Sequence, residues 1–308
     1  MPMLMEVLEV ILPILAPILL GAVLRRKQTI SYEGIAGMKT FVMRYGIPCM
    51  LFHAYLTCSF SREVVAGMAA VFCLTLALAV LAFRMRRTAR WNYHNLPMLF
   101  SITEGGLGVP LFLILFGLEQ TFRIASLDLA QTLIGVPIIS ILSADEASQV
   151  RGKDILRRIA SVPVAIAMVL GLAMNFSGLG AALEPSGVTS LITAVTSAIA
   201  EPVSALMLLC VGYEFQISKE NRRNVLQMTG CFLGVRIVFC AAIQGLLCLL
   251  PSVQPITRWA VLLFCFLPPS YLSVNLGRTQ RDNAFAASVC SISTFATLVV
   301  FCIIAIAV

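Results

Sequence analysis

Ser101-Ile-Thr-Glu-Gly-Gly-Leu-Gly-Val-Pro110 interrupts an apolar run at the point where a membrane helix should be most continuous. A second interruption, Phe264-Cys-Phe-Leu-Pro-Pro-Ser-Tyr271, sits in a later apolar run. Gly and Pro clusters break helical hydrogen bonding, and hydrocarbon cannot satisfy the N–H and C=O groups that are freed. Broken backbone at bilayer depth therefore persists only where it is buried in protein or lines a polar cavity. A matched pair of interruptions, one in each half of a membrane chain, points to the binding site of a transporter.

The remainder of the sequence supports a membrane setting. The 308 residues are 59% hydrophobic and 12% charged, with a mean hydropathy of +0.93, whereas soluble domains carry about 25% charged residues. Ten apolar runs cover 5–24, 34–57, 64–83, 94–117, 121–143, 156–176, 188–212, 225–249, 256–277 and 284–307. Each is close to the length of about 20 residues that crosses a bilayer as a helix. The expected fold is an all-α integral membrane protein of ten transmembrane helices, with no stretch left for a soluble domain. The first run does not read as a cleaved signal peptide. Glu6 and Glu9 lead it, and Arg25-Arg26-Lys27 stands where a small-residue cleavage site belongs.

A net charge of +7 would suggest nucleic acid in a soluble protein, but its placement here points to topology. Basic residues follow the odd-numbered runs: Arg25, Arg26 and Lys27; Arg84, Arg86, Arg87 and Arg90; Arg151, Lys153, Arg157 and Arg158; Lys219, Arg222 and Arg223; Arg278 and Arg281. The other connections carry little beyond Arg62, Arg123 and Arg258. Basic loops stay cytoplasmic, so both termini are expected on the non-cytoplasmic side of the cell membrane. The ten cysteines form no CxxC pair, and His53 and His94 are the only histidines. Neither disulfides nor a metal or other cofactor is expected.

Residues 1–143 and 159–308 form two halves of five runs each, joined by a polar connection over 144–158. An odd number of spans per half forces any repeat to be inverted. The landmarks agree: the second run of each half holds an internal proline, Pro48 and Pro202, and the fourth holds a Gly/Pro interruption. The expectation is a 5+5 inverted repeat in which broken helices 4 and 9 cross near the midplane. Their half-helix N-termini carry partial positive charge suited to an anion.

These residues also carry a likeness to a known family. Ile11-Leu12-Pro13-Ile14 through Leu20-Gly21, Leu24-Arg25-Arg26, Ser31-Tyr32-Glu33-Gly34 and Tyr45-Gly46-Ile47-Pro48 mark the first two spans. Gly105-Gly106-Leu107-Gly108-Val109-Pro110 with Leu115-Phe116-Gly117, Pro202 through Leu209-Cys210-Val211-Gly212, Leu267-Pro268-Pro269, Asp282 and Ser293-Thr294 mark the later ones. In this order and spacing they resemble the auxin efflux carrier family of transporters, a relative of the bile acid:sodium symporter group. The resemblance implies a carrier of carboxylates such as malonate or auxin-like acids. The chain departs from the family at the crossing, where Thr103 and Glu104, and then Ser270, Tyr271, Ser273 and Asn275, stand in place of its usual Asn.

Ionisable residues inside a bilayer are rare and usually functional. Glu104 and Glu201 each adjoin an expected helix break and, with Asp128, are candidates for ion coupling; capping of freed N–H groups, or a structural pair with Arg44 or Arg236, is the plainer use. Arg44 precedes Pro48 by one turn and is a candidate carboxylate clamp, or else a snorkelling side chain. Thr103, Ser270 and Tyr271 offer hydrogen bonds to a ligand, although such residues also join membrane helices. Gly105, Gly106, Pro48, Pro268 and Pro269 complete the expected substrate-binding walls. No Walker loop, HExxH or GxSxG occurs, so neither an enzyme nor an ATP-driven pump is expected. The reading is a secondary transporter for a small organic anion, working by alternating access with a proton or sodium as coupling ion, or as a uniporter. Spans 1, 2, 5, 6, 7 and 10 are expected to rock against spans 3, 4, 8 and 9. A sodium-coupled symporter and a non-transporting ligand receptor are the alternatives, and a homodimer fits the related architecture.

Overall fold

The computed structural model describes all residues except 1, 59–60, 89–90, 144–151, 180–181, 183, 216–221 and 251–252. Arg90, Asp145, Glu146, Arg151 and Lys219, together with most of the connection over 144–158, lie outside the described residues.

Helices occupy each of the ten apolar runs. The first half contains α1 (Pro2–Lys27), α2 (Tyr32–Phe41), α3 (Ile47–Thr57), α4 (Arg62–Met85), α5 (Leu96–Ser101), α6 (Gly105–Phe116) and α7 (Thr121–Ser143). The second contains the short α8 (Gly152–Ala160), then α9 (Pro163–Phe176), α10 (Val188–Glu214), α11 (Arg222–Cys248), α12 (Pro255–Cys265) and α13 (Gln280–Ala307). Five helical stretches are by themselves long and apolar enough to cross a membrane: Arg62–Met85, Leu118–Ser143, Val188–Glu214, Arg222–Cys248 and Gln280–Ala307. These apolar helices fit a multi-pass membrane protein.

The prolines act according to their number. Pro48 has no N–H to give the Arg44 carbonyl. The chain accommodates this with a π turn over Val42–Gly46, in which Ile47 N–H reaches back to Val42 O, and α2 runs on into α3. Pro202 lies inside the unbroken α10. Pro268-Pro269 instead ends α12, and the chain resumes as a 3₁₀ turn over Tyr271–Asn275. The expectation of a break beside Glu201 is therefore corrected: a single proline inside a 27-residue helix removes one hydrogen bond and the helix continues.

Two bodies of packing result. In the first, α1 crosses α10 with backbones in contact. A Cβ on Gly21 would sit 2.1 Å from Leu209 O, and one on Gly212 would sit 2.0 Å from Ile18 O, so only glycine fits at either point. In the same body α9 packs on α3, where Asn175 Nδ2 donates to Tyr55 O at 3.0 Å and Cys58 O at 2.7 Å. The second body comprises α4–α7 and α11–α13. Here the sequence expectation is corrected again. Spans 5 and 10, which are α7 and α13, pack mainly with the crossing helices rather than with spans 1, 2, 6 and 7. Polar ties account for this: Gln131 of α7 bonds Thr103, and Thr294 of α13 bonds Tyr271.

Candidate functional site

The two interruptions meet. Glu104 N–H donates to Pro268 O at 2.9 Å and Ser270 N–H donates to Ile102 O at 2.9 Å, forming an antiparallel bridge between Thr103 and Pro269. Each break thus supplies partners for backbone groups that the other has freed, in surroundings where water would not. The remaining freed groups are met by side chains. Gln131 Oε1 accepts from Thr103 N–H at 3.1 Å and from Thr103 Oγ1 at 3.0 Å, while Gln131 Nε2 donates to Thr103 O at 2.9 Å and Asp128 Oδ1 at 2.6 Å. Glu104 Oε2 accepts from Tyr271 N–H at 2.8 Å and from Ser270 Oγ at 3.4 Å. Glu104 therefore caps the 3₁₀ turn of the opposite break. It pairs with neither Arg44 nor Arg236.

Beside the crossing lies a cavity of about 550 Å³. Among the residues singled out from the sequence, Arg44, Thr103, Glu104, Gly105, Gly106, Asp128, Ser270 and Tyr271 line it. Gly105 is dictated by its neighbour, since a Cβ there would sit 2.0 Å from Asp128 Cγ. Arg44 comes from the π turn, is exposed to the cavity, and makes no side-chain hydrogen bond or ion pair among the described residues. The others take different places. Pro268 and Pro269 are buried and form the bridge, and Pro48 is buried in α3. Glu201 is exposed on α10 and does not line the cavity. Arg236 is buried behind the crossing, where Nη2 donates to Ser101 O at 2.9 Å and the guanidinium lies 5.1 Å from the Phe232 ring centre. There a cation meets the C-terminal end of half-helix α5, which carries partial negative charge.

Three lining residues escaped the sequence reading. Gln131 is the buried amide that clamps Thr103. Lys39 and Glu214 form an ion pair of 2.9 Å between α2 and the end of α10, and the Lys39 ammonium lies 4.6 Å from the centre of the Tyr271 ring. Lys39 and Tyr271 thus face each other from the two packing bodies. Tyr32, Lys39, Glu214, Tyr271 and Asn275 also border a second cavity of about 490 Å³, which reaches Arg25 and Gln28 at the end of the molecule bearing the basic loops.

The opposite end is packed shut. Tyr55 OH bonds Ser126 Oγ at 2.7 Å and donates to Phe122 O at 3.2 Å, joining α3 to α7. Nearby, Glu63 pairs with Arg123 at 2.8 Å, with side chains only 7% and 4% exposed. Thr257 Oγ1 and Gln254 N–H each donate to the Glu63 carboxylate at 2.8 Å, and Arg123 also bonds Thr257, Gln254 and Gln120. Among the described residues no three of His, Cys, Asp and Glu gather as metal ligands. Compared with known proteins, the chain matches no family model and no curated protein sequence.

Proposed function

We propose that the chain is a secondary transporter that carries a small organic anion, a carboxylate, across the cell membrane by alternating access. The observation that carries this reading is the mutual bridge of two broken helices beside a cavity that Arg44, Glu104 and Asp128 line and that adjoins a second cavity reaching Arg25. Continuous helices serve a purely structural role at lower cost, whereas broken ones present backbone and polar side chains to a ligand. On this reading the ten helical runs span the bilayer as a 5+5 inverted repeat. The packing of span 1 on span 7 and of span 2 on span 6, two pairs that the repeat would exchange, supports it. The motifs resembling the auxin efflux carrier family support it as well. Basic loops on the cytoplasmic side put both termini outside and make the cavity inward-open.

The charges that line the cavity bear on coupling. Lys39 is neutralised by Glu214, which leaves Arg44 facing Glu104 and Asp128. An arriving carboxylate adds negative charge beside two acidic side chains. A proton taken up by Glu104 or Asp128 removes that repulsion, so the reading is a proton-coupled carrier in which Arg44 draws the carboxylate of the substrate into the cavity.

Proteoliposomes loaded with malonate or indole-3-acetate test this. Saturable counterflow of the labelled acid is expected, and it should be stimulated by a proton gradient rather than a sodium gradient. Arg44→Ala should raise the half-saturating concentration about tenfold, which corresponds to ~1.4 kcal/mol. Glu104→Gln and Asp128→Asn should reduce proton stimulation. Flux without counterflow would mean a channel, and wild-type affinity in Arg44→Ala would remove the clamp.

A further inference from the structure

We propose that Glu214 occupies the seat of the substrate's carboxylate on Lys39, so that binding is an exchange of one carboxylate for another. This inference rests on the carrier reading above. Lys39 Nζ donates to both Glu214 oxygens, at 3.1 Å and 2.9 Å, and a further side of the ammonium faces the Tyr271 ring at 4.6 Å. An ammonium and an aromatic face holding both oxygens of one carboxylate form a receptor suited to a small organic acid. The chain fills it with a group of its own.

Three features make that group displaceable. Glu214 is the last residue of α10, where its charge meets the negative end of the helix dipole. The pair is 24% and 21% exposed, so releasing Glu214 leaves the Lys39 ammonium in contact with the cavities rather than sealed in the core. Glu214 also borders the vestibule that reaches Arg25, which gives the released carboxylate a polar place to go. The backbone around it is held meanwhile, because Arg25 Nη1 donates to Tyr213 O at 3.2 Å and Phe215 O at 2.8 Å. The side chain can swing while the end of the helix stays fixed.

The exchange makes a prediction that a structural ion pair does not. Removing either partner abolishes the same pair, yet the two removals should move ligand binding in opposite directions. Glu214→Gln vacates Lys39 and should lower the half-saturating concentration of a carboxylate about two- to fivefold, the scale of a partly exposed ion pair. Lys39→Gln should raise it at least as much. The measurement is thermal stabilisation of the purified full-length protein titrated with malonate and with indole-3-acetate. Lys39→Arg and Glu214→Asp retain the charges and should move the midpoint less than the corresponding neutral variants, which keeps the test decisive if a neutral variant folds poorly. A wild-type response with both neutral variants shifted the same way, or with Glu214→Gln unshifted, overturns the exchange and leaves the carrier reading standing. No response from wild type or any variant to any carboxylate overturns both.

Discussion

Glu63–Arg123 and Lys39–Glu214 have nearly the same geometry, with N···O distances of 2.8 and 2.9 Å, and each joins helices distant in sequence. Their surroundings differ. The first pair is sealed at the closed end of the molecule, and both carboxylate oxygens are satisfied by Arg123, Thr257 and Gln254. The second is partly exposed where two cavities meet, with the cation spread between a carboxylate and a ring. A charge buried with all its partners is costly to part from them. A charge at the rim of a cavity trades partners with little loss. Burial and satisfaction, rather than distance, distinguish the two pairs.

The sharpest break of that contrast is Arg123→Ala. It leaves the Glu63 carboxylate buried without its cation and should destabilise the protein by about 3–5 kcal/mol, read as a lowered melting temperature, with the carboxylate midpoint unchanged. Gly105→Ala probes the wall between the two regions. Its methyl group must displace Asp128, so a loss of about 1–3 kcal/mol is expected, and the double variant with Asp128→Ala should recover most of it. Lys39→Gln should change stability by less than about 1 kcal/mol while impairing ligand response. Melting as low as that of Arg123→Ala would erase the distinction between the pairs.

The sequence disclosed the crossing and much of the cavity beside it, but neither the Lys39–Glu214 pair nor Gln131. Pro268-Pro269 is legible because tandem proline ends a helix, and Gly105-Gly106, in the first turn of α6, marks a break that falls just before it. Glu104 was found for the same reason, and its position brought both the capping and the coupling roles into view. Pro202 misled because a lone proline only bends a long helix, so Glu201 adjoins no break. Lys39 and Glu214 are 175 residues apart, and nothing in the sequence near either one links them. Their pairing is set by how α1, α2 and α10 pack, which no local pattern encodes. Gln131 left a faint trace: it follows Asp128 by three residues, so the two polar side chains share one face of the helix. The grouping of spans 5 and 10 depended on those same polar ties and was read wrongly without them.

The bridge between Thr103 and Pro269 has a mechanical meaning. To part the two strands would bare Glu104 N–H, Pro268 C=O, Ser270 N–H and Ile102 C=O together, at several kcal/mol for each group that water does not reach. Thermal motion does not undo such a weld on every turn of a cycle. On the proposed carrier reading, whatever rides on Thr103 and Ser270 is freight on one rigid carriage, and delivery consists in the Lys39 wall drawing away from it.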